Sequence, residues 1–255
     1  MMGITLNSLY GSGMSIISVN ANLSTMYSSM RKLTSGLRIN SAADDPAGLM
    51  ISEQLRTQIG SLNQEIENLS SSISKYETVS STVSTLRSNL TEIRTMAVAA
   101  ANEGLLSEEA RQAYVTAAGS LVENFNDIVE NAEFNGAKTL DGSAGALAEV
   151  AELTGVDLSS AETAAASVDV IDSAVEELDA VQMDLAATQK NDLEGQRASL
   201  EITRQNLIAA ESQVRDTDYA VEYSNFIGSM IRTQASLAML TYSAVSGSSI
   251  LKLFD

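Results

Sequence analysis

A ladder of apolar side chains constrains this chain more than any other feature: Ile51, Leu55, Ile59, Leu62, Ile66, Leu69, Ile73, Tyr76, Val79, Val83, Leu86, Leu90, Ile93 and Met96. Its mean step of about 3.5 residues is the coiled-coil repeat, which keeps one stripe facing a partner helix for about 70 Å. With about 1.5 to 3 kcal/mol for each side chain buried, this helix is expected to dominate the stability of the monomer.

The ladder is preceded by the sole proline, Pro46, which follows Asp44 and Asp45. Both aspartates are N-cap residue types, and proline suits the first helical position because its missing N–H and fixed φ cost nothing there. A helix is therefore expected to start at Asp45. Gly36 stands where an earlier helix can end on a left-handed residue. That earlier helix carries Ile16, Val19, Leu23, Met26, Met30, Leu33 and Leu37 in steps of three and four, whereas residues 1–14 have weak helical character.

Downstream, Asn102-Glu-Gly104 punctuates the chain, and Ser107 with Glu108 and Glu109 suits a new helix start. A short connection predicts that this helix folds back antiparallel, with Tyr114, Ala117, Leu121, Phe125 and Ile128 on its apolar face. Asn135-Gly136 and Asp141-Gly142 are tight-turn pairs that predict a short β-hairpin. From residue 143 to 167 the chain is rich in Ala, Ser and Gly, and eleven acids without a base lie between Lys138 and Lys190, which predicts a solvated tip. Helical period returns from Val168 through Ile171, Val175, Leu178, Leu185, Leu193, Leu200, Leu207 and Val214; Gly195, costing about 1 kcal/mol there, predicts tight packing or a bend. Arg215-Asp-Thr-Asp218 is a break and a cap, with Asp216 and Asp218 as its acids, and Tyr219, Tyr223, Phe226, Met230, Thr233, Leu237, Leu240 and Ala244 follow.

Charge divides the chain further. Residues 1–30 hold no charged side chain, and none lies between Arg232 and Lys252. The order is uncharged heptads, charged helices, an acidic tip, a charged helix and uncharged heptads again. Folding once at the tip brings the uncharged ends together, and because two helices cannot cover both of their seams, these ends invite self-assembly. The expected fold is mainly α, an elongated antiparallel helical coiled-coil bundle with a small β-hairpin near the tip and paired N- and C-terminal helices.

Composition removes several function classes. The chain has 33 acids against 15 bases, a net charge of -18, which disfavours nucleic acid and anionic membranes as partners. It has no cysteine and no histidine, so disulfide scaffolds, thiolate or imidazole metal sites and Ser-His or Cys-His catalysis lose a necessary component. No run reaches the roughly 18 apolar residues of a membrane span. The uncharged first 30 residues lack the positive region of a cleaved signal, so the expectation is a cytosolic protein or export by another route. Asp44, Asp45 and Glu53 raise the idea of a metal or acid–base site, but a helix start accounts for both aspartates and no other ligand type is present. Gly11-Ser-Gly13 lacks the lysine and spacing of a phosphate loop. No enzyme, metal or cofactor is expected.

Four runs resemble bacterial flagellins: Leu33-Thr-Ser-Gly-Leu-Arg-Ile-Asn-Ser-Ala-Ala-Asp-Asp45 with Ala47-Gly48; Ile93-Arg94 with Ala97-Val98-Ala99-Ala100-Ala101-Asn102; Glu133-Phe134-Asn135-Gly136; and Arg215-Asp-Thr-Asp218-Tyr219. The ending Ser249-Ile250-Leu251-Lys252-Leu253-Phe254 is similar to the family's apolar tail. The resemblance implies a structural subunit that polymerises into the flagellar filament, exported without a cleaved signal. It implies a discontinuous terminal domain, 1–43 with 216–255, as the inner tube of the filament, and a rod-like helical domain, 44–215, with the hairpin and short tip at about 134–167. The expected assembly interface comprises Ile16, Val19, Leu23, Met26, Met30, Leu33, Tyr223, Phe226, Met230, Leu237, Leu240, Ile250, Leu251, Leu253 and Phe254, and the expected joint between domains comprises Gly36, Asp44, Asp45, Pro46, Asp216 and Asp218. Larger family members carry outer domains near 140–167, where only about 25 residues stand here, so this chain resembles a minimal, core-only member.

The implied partners are other copies of the chain, an export chaperone, a filament cap and hook–filament junction proteins. A junction protein of the same appendage, for which Pro46 after two aspartates is a point, and a cytosolic coiled-coil adaptor are the alternative readings. The innate-immune receptor that detects many flagellins reads a run that is usually Leu-Gln-Arg-Val-Arg-Glu-Leu; here Leu90-Thr-Glu-Ile-Arg-Thr-Met96 keeps Leu90 and Arg94 but places Glu92 where the family has a base. An acid facing a site built for arginine is repelled, so weak recognition is expected.

Overall fold

A computed structural model describes the backbone of residues 2–102, 107–143 and 145–251, and the side chains of residues 11, 13–102, 107–143, 145–243 and 245. The elements are α1 (Met2–Ser35), α2 (Pro46–Ala100), α3 (Glu108–Asn131), β1 (Glu133–Phe134), β2 (Ala137–Lys138), α4 (Ala161–Ala187), a π-helical segment (Thr188–Leu193), α5 (Glu194–Arg215) and α6 (Tyr219–Leu251). The fold is mainly α with one small antiparallel hairpin, as the heptads and the Asn-Gly pair predict. The chain packs as two compact units, residues 1–61 with 203–255 and residues 62–202.

In the unit of residues 62–202 the ladder on α2 becomes a sealed core. Val79, Val83, Leu86, Leu90, Ile93 and Ala97 are buried with Phe125 and Val129 of α3 and Ile171, Leu178 and Leu185 of α4. Ser107 caps α3 by accepting from the Ala110 N–H at 3.2 Å, as expected, whereas Gly104 lies outside the described residues. The antiparallel return of α3 is pinned at both ends: Arg111 donates to the Ala100 carbonyl at 2.9 Å, and the Asn89 and Asn124 side chains bond at 2.8 Å. The hairpin pairs Glu133 with Lys138 and Phe134 with Ala137, and both turn residues, Asn135 and Gly136, have positive φ, 53° and 77°.

Four expectations are corrected. Helix α1 begins at Met2 rather than near Ile16, because a helix nucleated by a heptad segment propagates cheaply, one hydrogen bond per residue fixed. The tip is not simply solvated: Leu140, Val150, Leu153 and Leu158 are buried. Side chains supply the missing backbone partners there, with Asn126 accepting from the Leu153 N–H at 2.8 Å and donating to its carbonyl at 3.2 Å, while Ser167 accepts from the Asp157 N–H at 2.8 Å. Helix α4 starts at Ala161, seven residues before Val168, behind a Ser160/Thr163 capping box. Finally, a Cβ on Gly195 would meet nothing within 4 Å, so tight packing does not explain it. What stands just before it is the π-helical segment, which absorbs the one step of eight, Leu185 to Leu193, in an otherwise seven-residue repeat.

Candidate functional site: the terminal helix pair and its joint

Helices α1 and α6 pack antiparallel, which brings Met14 beside Met239 in one groove and Lys32 to 3.7 Å from Glu222. The fully buried side chains of the pair are small and polar. Ser29, Ser229 and Thr233 are buried, and the Thr233 hydroxyl is satisfied by the Ser229 carbonyl of its own helix at 2.8 Å. Small residues let two helices approach closely, at the expense of apolar burial between them.

The apolar side chains of the pair divide into two sets. Val19, Leu23, Met26, Leu33, Phe226, Met230 and Leu240 are half-buried, whereas Ile16, Met30, Tyr223 and Leu237 are exposed. The side chains of Ile250 and Leu251, and all of Leu253 and Phe254, lie outside the described residues, as does the Ala244 side chain. A second exposed set escapes heptad reasoning: Ile17 (64% exposed), Tyr27, Ile231, Met239, Tyr242 (74%) and Val245. The signal for it is plain in retrospect, because these large apolar residues interrupt faces that otherwise carry Ser, Thr and Gln.

The crossing between α1 and α2 is joined to the break between α5 and α6. Gly36 adopts φ +74° and its N–H bonds to the Lys32 carbonyl at 2.8 Å, ending α1 in a left-handed turn. Leu37 then pairs antiparallel with Asp216: the Arg38 N–H donates to the Arg215 carbonyl at 2.6 Å and the Thr217 N–H to the Gly36 carbonyl at 3.0 Å. The Arg38 guanidinium also donates to the Val214 carbonyl. A Cβ on Gly36 would come to 3.0 Å from the Tyr219 hydroxyl, so both the conformation and the neighbour demand glycine. Arg215 closes the cluster by pairing with Glu53 of α2 at 2.9 Å.

The two aspartates before Pro46 have separate tasks, which corrects the reading that one helix start explains both. Asp45 is the N-cap, accepting from the Gly48 N–H at 2.9 Å, with Pro46 at the first helical position as expected. Asp44 instead ties the preceding turn, accepting from the Ser41 hydroxyl at 3.0 Å and from the N–H groups of Ser41 and Asn40 at 3.0 and 3.2 Å. The Ser41 hydroxyl foremost, then those N–H groups and the Arg31 charge, hold the Asp44 carboxyl below its ordinary 3.8, against the opposing cost of desolvation. Asp218 caps α6 by accepting from the Ala220 and Val221 N–H groups at 2.9 and 3.2 Å, and Asp216 accepts from the Ser212 hydroxyl at 2.6 Å.

The first turns of α2 depart from the expected ladder. Ile51 is exposed, while Gly48 and Ser52 face inward. The buried Ile39 explains the shift, since a Cβ on Gly48 would come within 2.6 Å of its Cδ1. On the same helix, in the unit of residues 62–202, Leu90 is fully buried, Glu92 is exposed and Arg94 pairs bidentately with Asp172 at 2.5 and 3.1 Å. That bond to Arg94 lowers the Asp172 pKa, and the same hydrogen bond and charge raise that of Arg94.

A helical pair that fully buries small polar side chains and leaves a set of large apolar ones exposed belongs to the class of proteins whose surface suits contact with other protein surfaces. Comparison with known proteins gives the family. The bacterial flagellin N-terminal helical region matches residues 12–145 and the bacterial flagellin C-terminal helical region matches residues 168–254. A flagellin of Halalkalibacterium halodurans is 35% identical over 91% of this chain and 93% of its own length. The flagellar filament core protein flaB2 of Brachyspira hyodysenteriae is 32% identical over 89% and 91%, and a flagellin of Bacillus subtilis is 29% identical over 92% and 94%. The chain belongs to the bacterial flagellin family. Among the described residues, no helix is long and apolar enough to cross a membrane.

Proposed function

We propose that this chain polymerises into the flagellar filament through the outward apolar faces of α1 and α6, as a structural subunit that serves swimming motility and catalyses no reaction. The carrying observation is that both helices, though paired, expose Ile16, Ile17, Met30, Tyr223, Leu237 and Tyr242. Covering these side chains returns about 25 cal/mol per Å² of apolar surface, and a head-to-tail contact whose rotation does not close generates an open helical assembly. The inner tube is assigned to 1–43 with 216–255 and the rod to 44–215, with Gly36, Asp44, Asp45, Pro46, Asp216 and Asp218 as the joint between them. The assembly interface is taken to comprise Ile16, Val19, Leu23, Met26, Met30, Leu33, Tyr223, Phe226, Met230, Leu237 and Leu240, together with Ile250, Leu251, Leu253 and Phe254.

Export without a cleaved signal, and contacts with a chaperone, a filament cap and junction proteins, belong to the same reading and rest on the family. Recognition by the innate-immune receptor is weak in this reading. Glu92 carries the wrong charge, Leu90 is sealed in its core, and Arg94 is engaged by Asp172. A nanomolar response in a receptor reporter assay would overturn that part alone.

The assembly reading is tested by removing residues 240–255 and seeding the purified protein for negative-stain microscopy. Filaments should be lost, while circular dichroism still reports the helices of the remaining chain. Filaments of normal length from the truncated chain would sink the tube assignment, and a discrete dimer or trimer from the full chain would favour a coiled-coil adaptor.

A further inference from the structure

We propose that Met14, Met30 and Met239 are oxidation-sensitive positions on the terminal helix pair, through which peroxide blocks assembly of the free subunit and spares the finished filament. Met14 and Met239 line one open groove between α1 and α6 with Ser15, Ser18, Ala235 and Ser236, and Met30 is exposed further along α1. The chain has no cysteine and no tryptophan, so the thioethers are its most readily oxidised side chains. Exposure governs which of them react first. Met26, Met96 and Met230 are half-buried, whereas Met14 (53%), Met30 (43%) and Met239 (64%) stand open, as do Met50 (62%) and Met183 on other helices.

The reaction balances with one oxidant. The thioether sulfur attacks one oxygen of hydrogen peroxide, the O–O bond breaks as the S–O bond forms, and the departing hydroxide takes the remaining proton to leave as water. Sulfur is oxidised by two electrons to the sulfoxide and peroxide is reduced. The product turns a soft apolar side chain into a polar one, at positions that assembly must strip of water. This step rests on the assembly reading above, since only there does the groove become covered. Met183, 74% exposed on α4 and outside the proposed interface, is the internal reference.

The test treats purified monomer and preformed filaments with the same hydrogen peroxide dose. Mass spectrometry then maps the sulfoxides, and seeded polymerisation gives the critical concentration. Oxidised monomer should keep its helicity while its critical concentration rises on the order of tenfold or more. A chain carrying Met14→Leu, Met30→Leu and Met239→Leu should polymerise equally well before and after treatment. In filaments, Met14, Met30 and Met239 should oxidise far more slowly than Met183. Oxidised wild-type chain that assembles normally, or a triple-leucine chain that is still blocked by peroxide, overturns the oxidation proposal and leaves the assembly reading standing. Equal oxidation of Met14, Met239 and Met183 in filaments overturns the assembly reading for this face instead.

Discussion

In residues 62–202, Leu86, Leu90, Ile93, Phe125, Ile171 and Leu178 are sealed from solvent, and the exposed faces carry charge with a few scattered apolar side chains such as Val98 and Met183. In residues 1–61 with 203–255, Ile39 is the one buried large apolar side chain among the described residues, while Ser29, Ser52, Ser229 and Thr233 occupy the interior. The first arrangement draws its stability from within the chain. The second leaves its apolar groups outside, where a second protein surface can cover them. One polypeptide therefore holds a self-sufficient unit and an incomplete one, and the same substitution should act differently in each.

The sharpest way to break that contrast pairs a core truncation with a surface one. Leu90→Ala should destabilise the monomer by about 2 to 5 kcal/mol in chemical denaturation, because the cavity lies in a well-packed interior. Ile17→Ser should leave monomer stability within about 0.5 kcal/mol of wild type yet raise the critical concentration for filaments. If Ile17→Ser unfolds the monomer, or polymerises unchanged, the division between inward and outward apolar groups is wrong.

A middle-sized effect is expected at the joint, where backbone geometry and not apolar burial holds the incomplete unit. Gly48→Ala gains about 1 kcal/mol of helix propensity, but the new methyl must displace Ile39 and the capping carboxylate of Asp45. Overpacking of about 1 to 3 kcal/mol together with a weakened cap outweighs the gain, for a net loss of about 1 to 2 kcal/mol in thermal melts. Asp45→Ala, losing the cap alone, should cost about 1 kcal/mol. A stabilised Gly48→Ala chain would show that Ile39 has room to move and that the joint is looser than its distances indicate.

How much of this was legible in the sequence follows the same contrast. The heptads of α2 from Ile66 onward, the hairpin at Asn135-Gly136, the cap at Ser107 and the left-handed end at Gly36 are read correctly, because each depends on local geometry or on a stripe buried by its own chain. Reading failed where the partner of a group is distant in sequence. Asn126 and Ser167 supply hydrogen bonds to the tip from helices α3 and α4, so the tip's small residues looked merely solvated. Ile39 reaches Gly48 and turns Ile51 outward, a register change that periodicity does not register. Ile17, Tyr27 and Met239 of the terminal helices lie off the heptad positions, so their exposure does not follow from the repeat. The breaks around Gly36 and Asp216 are expected together from the family resemblance, whereas the antiparallel Leu37–Asp216 bridge between them leaves no mark in the local sequence.

The smallest effect separates charge from geometry at the same joint. Because the Asp44 carboxyl is held below its ordinary 3.8 in the folded chain, the unfolded chain binds more protons than the folded one around that pH. Its contribution is therefore fully present above about pH 5, and is lost as pH falls through 3.8 and on through the depressed folded value. Asp44→Asn keeps an acceptor oxygen for the Ser41 hydroxyl and the two N–H groups, so it removes the charge and little else. The melting temperatures of wild type and Asp44→Asn should differ slightly at neutral pH and converge below pH 3.8. Asp172→Asn should converge over the same window, since the bond to Arg94 lowers its pKa in the same direction. A gap for Asp44→Asn that persists at low pH would mean that the turn is held by shape alone, and that the joint resembles the sealed unit more closely than its polar surroundings suggest.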